Sequence, residues 1–170
     1  MQLMFFRGAD PLFGFFGKYV DIVSPFTGKT IDLSAVPDEV FSQRMAGDGI
    51  AVIPSGNVAV APADGEINLI FQGGHSFSMK TPDNYEITVH IGLDTIIMNG
   101  EGFEVLVQQG TKVTKGTPIV RFDPDAITDA GLSLISPVLI TNPDSVRSMS
   151  SNTGIDAEAG KSVILKVKLK

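Results

Sequence analysis

The sequence predicts an all-β fold, an antiparallel β-sandwich or barrel with many short strands and at most short helical turns. Segments of alternating apolar and polar residues, typical of half-buried strands, follow one another from residue 19 to the C-terminus. Gly, Pro and Asp separate these segments, and no long segment has the periodicity of an amphipathic helix. A turn of the form small–Pro–x–x–Gly, followed by a strand pattern, occurs at residues 24–28 and again at 61–65. The repeat predicts a duplicated β motif, although turn chemistry alone can produce the same match.

Ten or more strands are expected in chain order. They are predicted near residues 20–23, 29–33, 49–53, 58–61, 66–70, 76–80, 85–91, 106–107, 117–120, 138–141 and 162–169. Residues 36–41 predict a loop or a single helical turn. A short helix is expected from Asp123 to Ala130, because Asp123 is a suitable N-cap and Pro124 suits the first helical position.

The bulk composition indicates one globular domain, expected at residues 19–170, preceded by a tail at residues 1–18. The chain has 170 residues, 43% of them hydrophobic, and a mean hydropathy of +0.20. A net charge of −6 argues against nucleic acid as the main partner. The absence of cysteine excludes disulfides, thiolate catalysis and cysteine-based zinc sites, and is compatible with the cytoplasm.

Residues 1–18 form an apolar tail that Gly, Asp and Pro interrupt. No apolar run approaches the ~20 residues of a membrane span, and the basic start of a signal peptide is missing. One interpretation is a tail that packs on the domain or is mobile. The other is a weak peripheral anchor at the inner face of the membrane, formed by five phenylalanines.

The most informative segment spans residues 85–95. Its apolar residues alternate with Glu86, Thr88 and His90, which predicts a half-buried strand with His90 on the polar face. Gly92 follows, so no bulky side chain crowds the imidazole.

The second of the two histidines, His75, is expected to face His90. Residues 81–84, Thr-Pro-Asp-Asn, predict a tight turn between two strands. A turn centred on Pro82-Asp83 pairs Lys80 with Tyr85 and His75 with His90. An odd-length loop would instead put the histidines on opposite faces.

Three kinds of site remain open from the residues alone. Two facing imidazoles suit the handling of one phosphoryl group, because one nitrogen can carry it while the other ring donates to an oxygen. His75 and His90 could instead share a zinc ion, with Asp94 as a further ligand. They could also be a structural pair. Without cysteine or a nucleophile elbow, hydrolase triads have little support, and the chain has no phosphate-binding Gly-rich loop. No cofactor is expected.

The motif Val-His-Ile-Gly-Leu-Asp-Thr at residues 89–95, with His75 upstream, resembles the glucose-type enzyme IIA of the bacterial phosphoenolpyruvate:sugar phosphotransferase system. Further segments match that family in order and spacing. They are residues 36–41 (VPDEVF), 47–51 (GDGIA), 61–65 (APADG) and 100–103 (GEGF). The resemblance runs from about residue 22 to the C-terminus.

The resemblance implies a barrel-sandwich hybrid fold and a phosphocarrier function. By position, His90 would be phosphorylated on Nε2 by the histidine-containing phosphocarrier protein. It would then pass the group to a cysteine on the IIB domain of a membrane sugar permease. The carbonyl of Gly92 would hold Nδ1–H of His90, and His75 would steady the phosphoryl oxygens.

The family's docking face is an apolar ring flanked by carboxylates that meet arginines of the phosphocarrier. Phe41, Ala46 and Phe71 fall on the apolar positions, and Asp38 and Asp94 fall on the acidic positions. The residues alone equally allow Asp38 as a solvated turn residue and Phe41 as a core residue. Regulatory proteins are further possible partners in such a family.

Three positions depart from the family pattern. Gly73 replaces a threonine that orients the first histidine, so the acceptor for His75 is expected to be a backbone carbonyl of the Gly-Gly segment or a water. Thr88 stands where an aromatic residue often joins the docking face, and Asn84 replaces a turn glycine. The alternative functions are a zinc-dependent peptidase of the lysostaphin type, for which the required His-x-His is missing, and a regulatory binding module using the same face.

Overall fold

The structure, a computed structural model, describes residues 19–142, 144 and 146–170. The expectations for the tail at residues 1–18 lie outside the described residues. Within the described part, fourteen strands and two short α-helices form an antiparallel architecture, which confirms the predicted all-β fold class. None of the helices described is long and apolar enough to span a bilayer.

The strands are β1 Tyr19–Val23, β2 Gly28–Asp32, β3 Asp48–Pro54, β4 Val58–Val60, β5 Gly65–Ile70, β6 Ser76–Lys80, β7 Glu86–His90, β8 Phe103–Val105, β9 Lys112–Val113, β10 Pro118–Phe122, β11 Ser136–Ile140, β12 Val146–Ser151, β13 Asp156–Ala157 and β14 Val163–Leu169. The helices are α1 Glu39–Ser42 and α2 Pro124–Asp129, and two 3-10 turns, η1 and η2, span Leu33–Ala35 and Thr95–Met98.

Eight strands form the main sheet, in the order β13-β2-β3-β11-β7-β6-β5-β9. The remaining strands form two three-stranded sheets, β1-β14-β12 and β4-β10-β8. Neighbouring strands in all three sheets are antiparallel. The strand predicted near residues 106–107 is placed slightly too late, because the pairing of β8 with β10 runs from residue 103 to residue 105.

The main sheet buries apolar side chains on both faces. On the inner face, Ile50 and Val52 of β3 belong to the main core cluster and are fully buried. Each such side chain contributes about 1.5–3 kcal/mol through burial. Ala51 points the other way and joins a smaller cluster under η1 and α1, whose other buried members are Leu33, Val36, Leu93 and Leu139.

The outer face of the main sheet is also the face that carries His90. Thr88 of β7 pairs with Leu139 of β11, a member of the smaller cluster. His90 lies two residues after Thr88 and therefore points to the same side of the sheet. The segment containing η1 and α1 packs on this face, so the histidine lies beside a covered apolar surface and not in open solvent.

The two copies of the repeated turn contact each other directly. The N–H of Val23 donates to the carbonyl of Pro62 at 3.0 Å. In the reciprocal bond, the N–H of Val60 donates to the carbonyl of Pro25 at 2.9 Å. The predicted duplication is therefore visible as a pair of equivalent hydrogen bonds between the copies.

The turn between β6 and β7 is one residue longer than predicted. The N–H of Asn84 donates to the carbonyl of Thr81 at 2.9 Å, and the N–H of Thr81 donates to the carbonyl of Tyr85 at 3.1 Å. Asn84 has a φ of 65°, in the left-handed region. A β-turn followed by one left-handed residue is typical of a three-residue hairpin loop, which has odd length.

The odd loop shifts the register of the hairpin. Lys80 pairs with Glu86 and Ser76 pairs with His90, so the predicted pairs of Lys80 with Tyr85 and of His75 with His90 are wrong. A regular strand in this register would turn His75 away from His90. The histidine pair therefore depends on an irregular backbone before β6.

Both helical predictions are confirmed. The carboxylate of Asp123 accepts the N–H groups of Asp125 and Ala126 at the start of α2. The single helical turn in residues 36–41 is α1, whose N-cap Asp38 accepts the N–H of Val40 at 2.9 Å.

Candidate functional site

His90 is the last residue of β7, and its ring is fixed by the residue after next. Nδ1 lies 2.7 Å from the carbonyl oxygen of Gly92, so the ring proton sits on Nδ1 and is donated to this carbonyl. The proton on Nδ1 leaves Nε2 with a free lone pair. His90 is half-buried, so Nε2 belongs to a ring that is held firmly but is still accessible.

His75 lies in a bend directly before β6, and its ring meets that of His90. The two ring centroids are 5.3 Å apart, and the ring planes are inclined by 70°. Gly73 and Gly74 precede the bend with φ values of 98° and 84°, which place both residues in conformations that favour glycine. The main-chain carbonyl of His75 still accepts the N–H of Ile91 at 2.8 Å, so the backbone stays in the sheet while the ring turns to the site.

Both imidazoles have a lowered pKa. Burial lowers the pKa of His90, while the hydrogen bond to the Gly92 carbonyl and the charges of Asp38 and Asp94 oppose this shift. Burial and the neighbouring His90 lower the pKa of His75. Both rings are therefore mainly neutral near pH 7, as a nitrogen nucleophile must be.

A backbone hydrogen bond at Gln72 acts on the His75 ring and opposes the lowering of its pKa. A bond that raises the pKa of a histidine comes from an acceptor, because an acceptor favours the protonated ring. The carbonyl of Gln72 is the backbone group that fits this direction. The sequence predicted a backbone carbonyl as the acceptor for His75, but in the Gly-Gly segment, which begins one residue after Gln72.

Two phenylalanines flank the histidine pair. The ring of Phe41 lies 5.4 Å from that of His90, with an interplanar angle of 62°. On the other side, the ring of Phe71 lies 6.2 Å from that of His75, with an angle of 51°. Phe71 is 40% exposed. Phe41 and Ala46 are half-buried against the smaller cluster, so the core interpretation of Phe41 also holds in part.

The two predicted carboxylates differ in what holds them. Asp38 caps α1, whereas Asp94 is exposed, has a left-handed backbone with a φ of 58°, and makes no capping bond at the start of η2. Asp94 thus stands at the N-cap position of η2 without capping it through its side chain. Its charge still acts on His90, because both carboxylates favour the protonated form of that ring.

The structure adds contacts and exposed side chains near the site that the sequence did not predict. Ser76 is buried opposite His90, and Ser78 and Thr88 share a hydrogen bond of 2.6 Å on the same face. The surface next to α1 and η2 also carries exposed apolar side chains, namely Val40, Met45, Ile96 and Ile97. These residues lie close in sequence to Asp38 and Asp94, so this apolar surface could have been predicted from the sequence.

The described residues contain no group of three or more histidine and carboxylate side chains that could hold a metal ion. His75 and His90 together offer two imidazole ligands, whereas a protein zinc site commonly uses three or four protein ligands. The shared zinc site stays a prediction that would need a ligand from elsewhere.

The sequence model of the family described as "phosphoenolpyruvate-dependent sugar phosphotransferase system, EIIA 1" matches residues 20–146. The chain belongs to this family. A relative named "PTS system glucose-specific EIIA component", from Bacillus anthracis, is 40% identical over 149 residues, which cover 88% of this chain and 90% of the relative. The family resemblance found in the sequence is therefore confirmed.

The solved structure of glucose permease IIA from Mycoplasma capricolum has the same fold. Its TM-score with this structure is 0.81 at 34% sequence identity, and the match covers 88% of this chain and 97% of that chain. The mannose-specific EIIBCA component of Corynebacterium glutamicum is 46% identical over 126 residues, which cover 74% of this chain but 18% of that relative. Some EIIA relatives are thus one part of a longer chain that also carries EIIB and EIIC.

Membership in the EIIA family makes the chain a phosphotransferase component that takes part in phosphoryl transfer during sugar uptake. The relative in which EIIA is joined to EIIB and EIIC supports a permease partner with a IIB domain.

Proposed function

We propose that Nε2 of His90 accepts a phosphoryl group from the histidine-containing phosphocarrier protein and passes it to a cysteine on the IIB domain of a glucose-type permease. The observation that supports this most strongly is the 2.7 Å contact between Nδ1 of His90 and the Gly92 carbonyl. With its proton held on Nδ1, the neutral ring presents the Nε2 lone pair to the incoming phosphorus. Phosphoryl transfer then requires mainly position and charge compensation.

His75 would supply part of that compensation. Its ring centroid lies 5.3 Å from that of His90, a separation that fits a phosphoryl group on one ring and a hydrogen-bond donor on the other. The backbone of Gln72 opposes the lowering of the His75 pKa, as a carbonyl that accepts from one ring nitrogen would. The carbonyl helps to set the tautomer, and on phosphorylation the opposite nitrogen would donate to a phosphoryl oxygen.

The surface around the histidines would be the docking face for both partners. Phe71 and Phe41 flank the two rings, and Val40, Met45 and Ile96 are exposed nearby. Apolar side chains of this kind become energetically important when a partner excludes water from them. Ala46 would contribute to this centre, and Asp38 and Asp94 would attract arginines at its rim.

This relay requires access to both a soluble phosphocarrier and the inner side of a permease. We therefore assign the protein to the cytoplasm, with peripheral association at the inner face of the membrane through the phenylalanines of residues 1–18. The residues and charges described offer no comparable reason to propose the zinc peptidase or a purely regulatory function.

The test is incubation with phosphoenolpyruvate, enzyme I and the phosphocarrier, followed by intact mass measurement. Wild-type protein should gain one phosphoryl group that is labile in acid and stable in base, and His90→Gln should gain none. His75→Gln is the matched control, because it alters the other histidine of the chain. A modification that survives in His90→Gln would show that the acceptor is a different residue.

A further inference from the structure

The hydrogen bond between Nδ1 of His90 and the Gly92 carbonyl, the Gly92 clamp, holds the ring of His90. It depends on a residue that must be glycine and is therefore intrinsically flexible. Gly92 has a φ of 72°, and an added Cβ would lie 2.7 Å from Cγ2 of Thr95 and 2.8 Å from the carbonyl oxygen of Ser133. A side chain is excluded on both counts. Glycine has the largest backbone freedom of any residue, so something else must fix the direction of its carbonyl.

Two anchors remove this freedom, one on each side of the Gly92 Cα. On the side of its own nitrogen, the Gly92 N–H donates to Oγ of Ser136 at 3.0 Å. On the other side, the N–H of Leu93 donates to the carbonyl of Ser133 at 3.0 Å. The Gly92 carbonyl and the Leu93 N–H belong to one trans peptide and point in opposite directions. Fixing the Leu93 N–H therefore directs the Gly92 carbonyl away from Ser133.

We propose that Ser136 is a positioning residue for His90, whose hydroxyl holds the Gly92 backbone so that the Gly92 carbonyl receives Nδ1–H of His90. The proposal rests on the proposed function of His90 only for its consequence in phosphoryl transfer. The positioning of His90 by Ser136 applies to the unphosphorylated protein. Ser136 touches neither imidazole through any bond described, so it acts through Gly92.

The hydroxyl of Ser136 is itself held in one orientation. Oγ donates to the carbonyl of Leu134 at 2.8 Å, which leaves its lone pairs for the Gly92 N–H. The residue is 0% exposed, so water has no ready access to replace the hydroxyl. Removing Oγ would leave a buried N–H without an acceptor and a carbonyl without a donor.

The Ser133 anchor is a backbone group and survives most substitutions, whereas the Ser136 anchor is a side chain and can be removed. Loss of Oγ frees rotation about the N–Cα bond of Gly92. The peptide that carries the Gly92 carbonyl is then held at the Leu93 N–H alone, so the carbonyl can tilt about that bond and weaken its 2.7 Å contact with Nδ1. The His90 ring would then lose its preference for the Nδ1–H tautomer, and Nε2 would be available as a lone pair in a smaller fraction of molecules.

The test compares full-length wild type, Ser136→Ala and Ser136→Cys, with Ser24→Ala as a matched control. Ser24 is also 0% exposed, and its Oγ donates to the Phe26 carbonyl at 2.5 Å and accepts the Phe26 N–H at 3.2 Å. Its replacement therefore breaks equivalent bonds without touching the His90 loop. Imidazole ¹⁵N shifts report the tautomer without any phosphoryl donor, and the rate of phosphoryl acceptance is measured separately.

Ser136→Ala should shift His90 away from the Nδ1–H tautomer and slow acceptance by roughly three- to tenfold, the effect of losing one orienting hydrogen bond. Ser136→Cys should change both in the same direction but less, because sulfur is a weak acceptor. Ser24→Ala should leave the His90 shifts at the wild-type values. If Ser136→Ala does not fold, Ser136→Cys against Ser24→Ala decides the question.

Unchanged His90 nitrogen shifts in the folded Ser136 variants would overturn the inference, as would an equal change in Ser24→Ala. If the shifts change as expected but wild-type His90 accepts no phosphoryl group, the positioning role of Ser136 stands and the proposed function fails. The two failures are therefore distinguishable.

Discussion

The two histidines lie side by side, yet the chain holds them in different ways. His90 ends a regular strand, and its ring is bonded to the carbonyl of Gly92. His75 lies in a bend after two glycines with positive φ, and the group that acts on its ring is the backbone of Gln72. One ring is attached to a loop that is anchored to the sheet, and the other to an irregular segment.

The difference matches two different chemical tasks. A nitrogen that forms and breaks a bond to phosphorus must be the same nitrogen in every molecule, which requires a fixed tautomer. A ring that only stabilises phosphoryl oxygens must adjust as the group arrives and departs. Under the proposed function, the anchored histidine is the carrier and the histidine on the irregular segment is the helper.

Replacing the helper should separate acceptance from release, which is the largest effect expected from this comparison. His75→Gln keeps His90 and the Gly92 clamp, so acceptance should stay within a few-fold of wild type. Transfer onward to the IIB domain should fall about 100-fold or more, the usual cost of removing one donor to a transition-state oxyanion. The measurement is quenched-flow transfer from phosphorylated protein to isolated IIB domain. Lost acceptance together with normal onward transfer would contradict the assigned roles.

The lowered pKa values predict how stability depends on pH. Each folded pKa lies below the value near 6.5 of an unfolded histidine, so the unfolded chain binds more protons between the two values. The stabilisation is complete above about pH 6.5 and is lost as the pH falls through the folded pKa values. The slope reaches at most about 1.4 kcal/mol per pH unit for each histidine.

Urea unfolding from pH 8 to pH 5 measures this slope. His75→Gln and His90→Gln should each flatten it, and the double variant should be nearly flat because the chain has no further histidine. His90→Gln should also raise the pKa of His75 in the NMR titration, since His90 helps to lower it. A double variant as steep as wild type would assign the dependence to carboxylates.

Much of this site could be predicted from sequence because its signals are local. Alternation placed His90 on the polar face of a strand, and the chain has one other histidine to pair with it. The hairpin register was not predictable in the same way, because it depends on the left-handed conformation of Asn84. That single residue changed the loop from even to odd length.

The long-range supports of the site gave no sequence signal. Ser136 and Gly92 are 44 positions apart in the chain, and their bond exists only because the first residue of β11 lies beside the loop after β7, its neighbour in the sheet. The irregular backbone that brings His75 to His90 likewise depends on the positive φ values of Gly73 and Gly74, which the sequence alone does not show. Family resemblance pointed to the histidines and to the Gly92 carbonyl, but not to the groups that hold Gly92 itself.

The carboxylates near His90 should have a smaller, electrostatic effect on phosphorylation, which can be separated from any structural role of the same residues. Asparagine caps helices about as well as aspartate, so Asp38→Asn removes a charge while keeping the bond to Val40. Phosphorylation should slow roughly threefold at low salt, and the difference should shrink as salt screens the approach of a basic partner. Asp123→Asn, the same change at the N-cap of α2, is the control and should have little effect. A salt-independent defect would indicate a structural role for Asp38.

The smallest and most specific effect concerns Gly73, where the family resemblance leads to an expectation of threonine. Restoring threonine looks like a repair, but Gly73 has a φ of 98°, which β-branched residues rarely adopt. An added Cβ would also lie 3.2 Å from the backbone nitrogen of Gly100. Relieving this strain requires rotation about the N–Cα bond of Gly73.

That rotation turns the peptide plane that contains the Gln72 carbonyl, which is the acceptor for His75. Gly73→Thr should therefore weaken the tautomer preference of His75 in imidazole ¹⁵N shifts, leave His90 unchanged and lower stability by about 1–2 kcal/mol. Gly73→Asn is the matched variant, because asparagine tolerates positive φ and should perturb His75 less. If Gly73→Thr instead sharpens the tautomer preference of His75, the threonine hydroxyl can replace the Gln72 carbonyl. The Gly73-Gly74 segment would then hold the helper histidine no differently from a threonine at position 73.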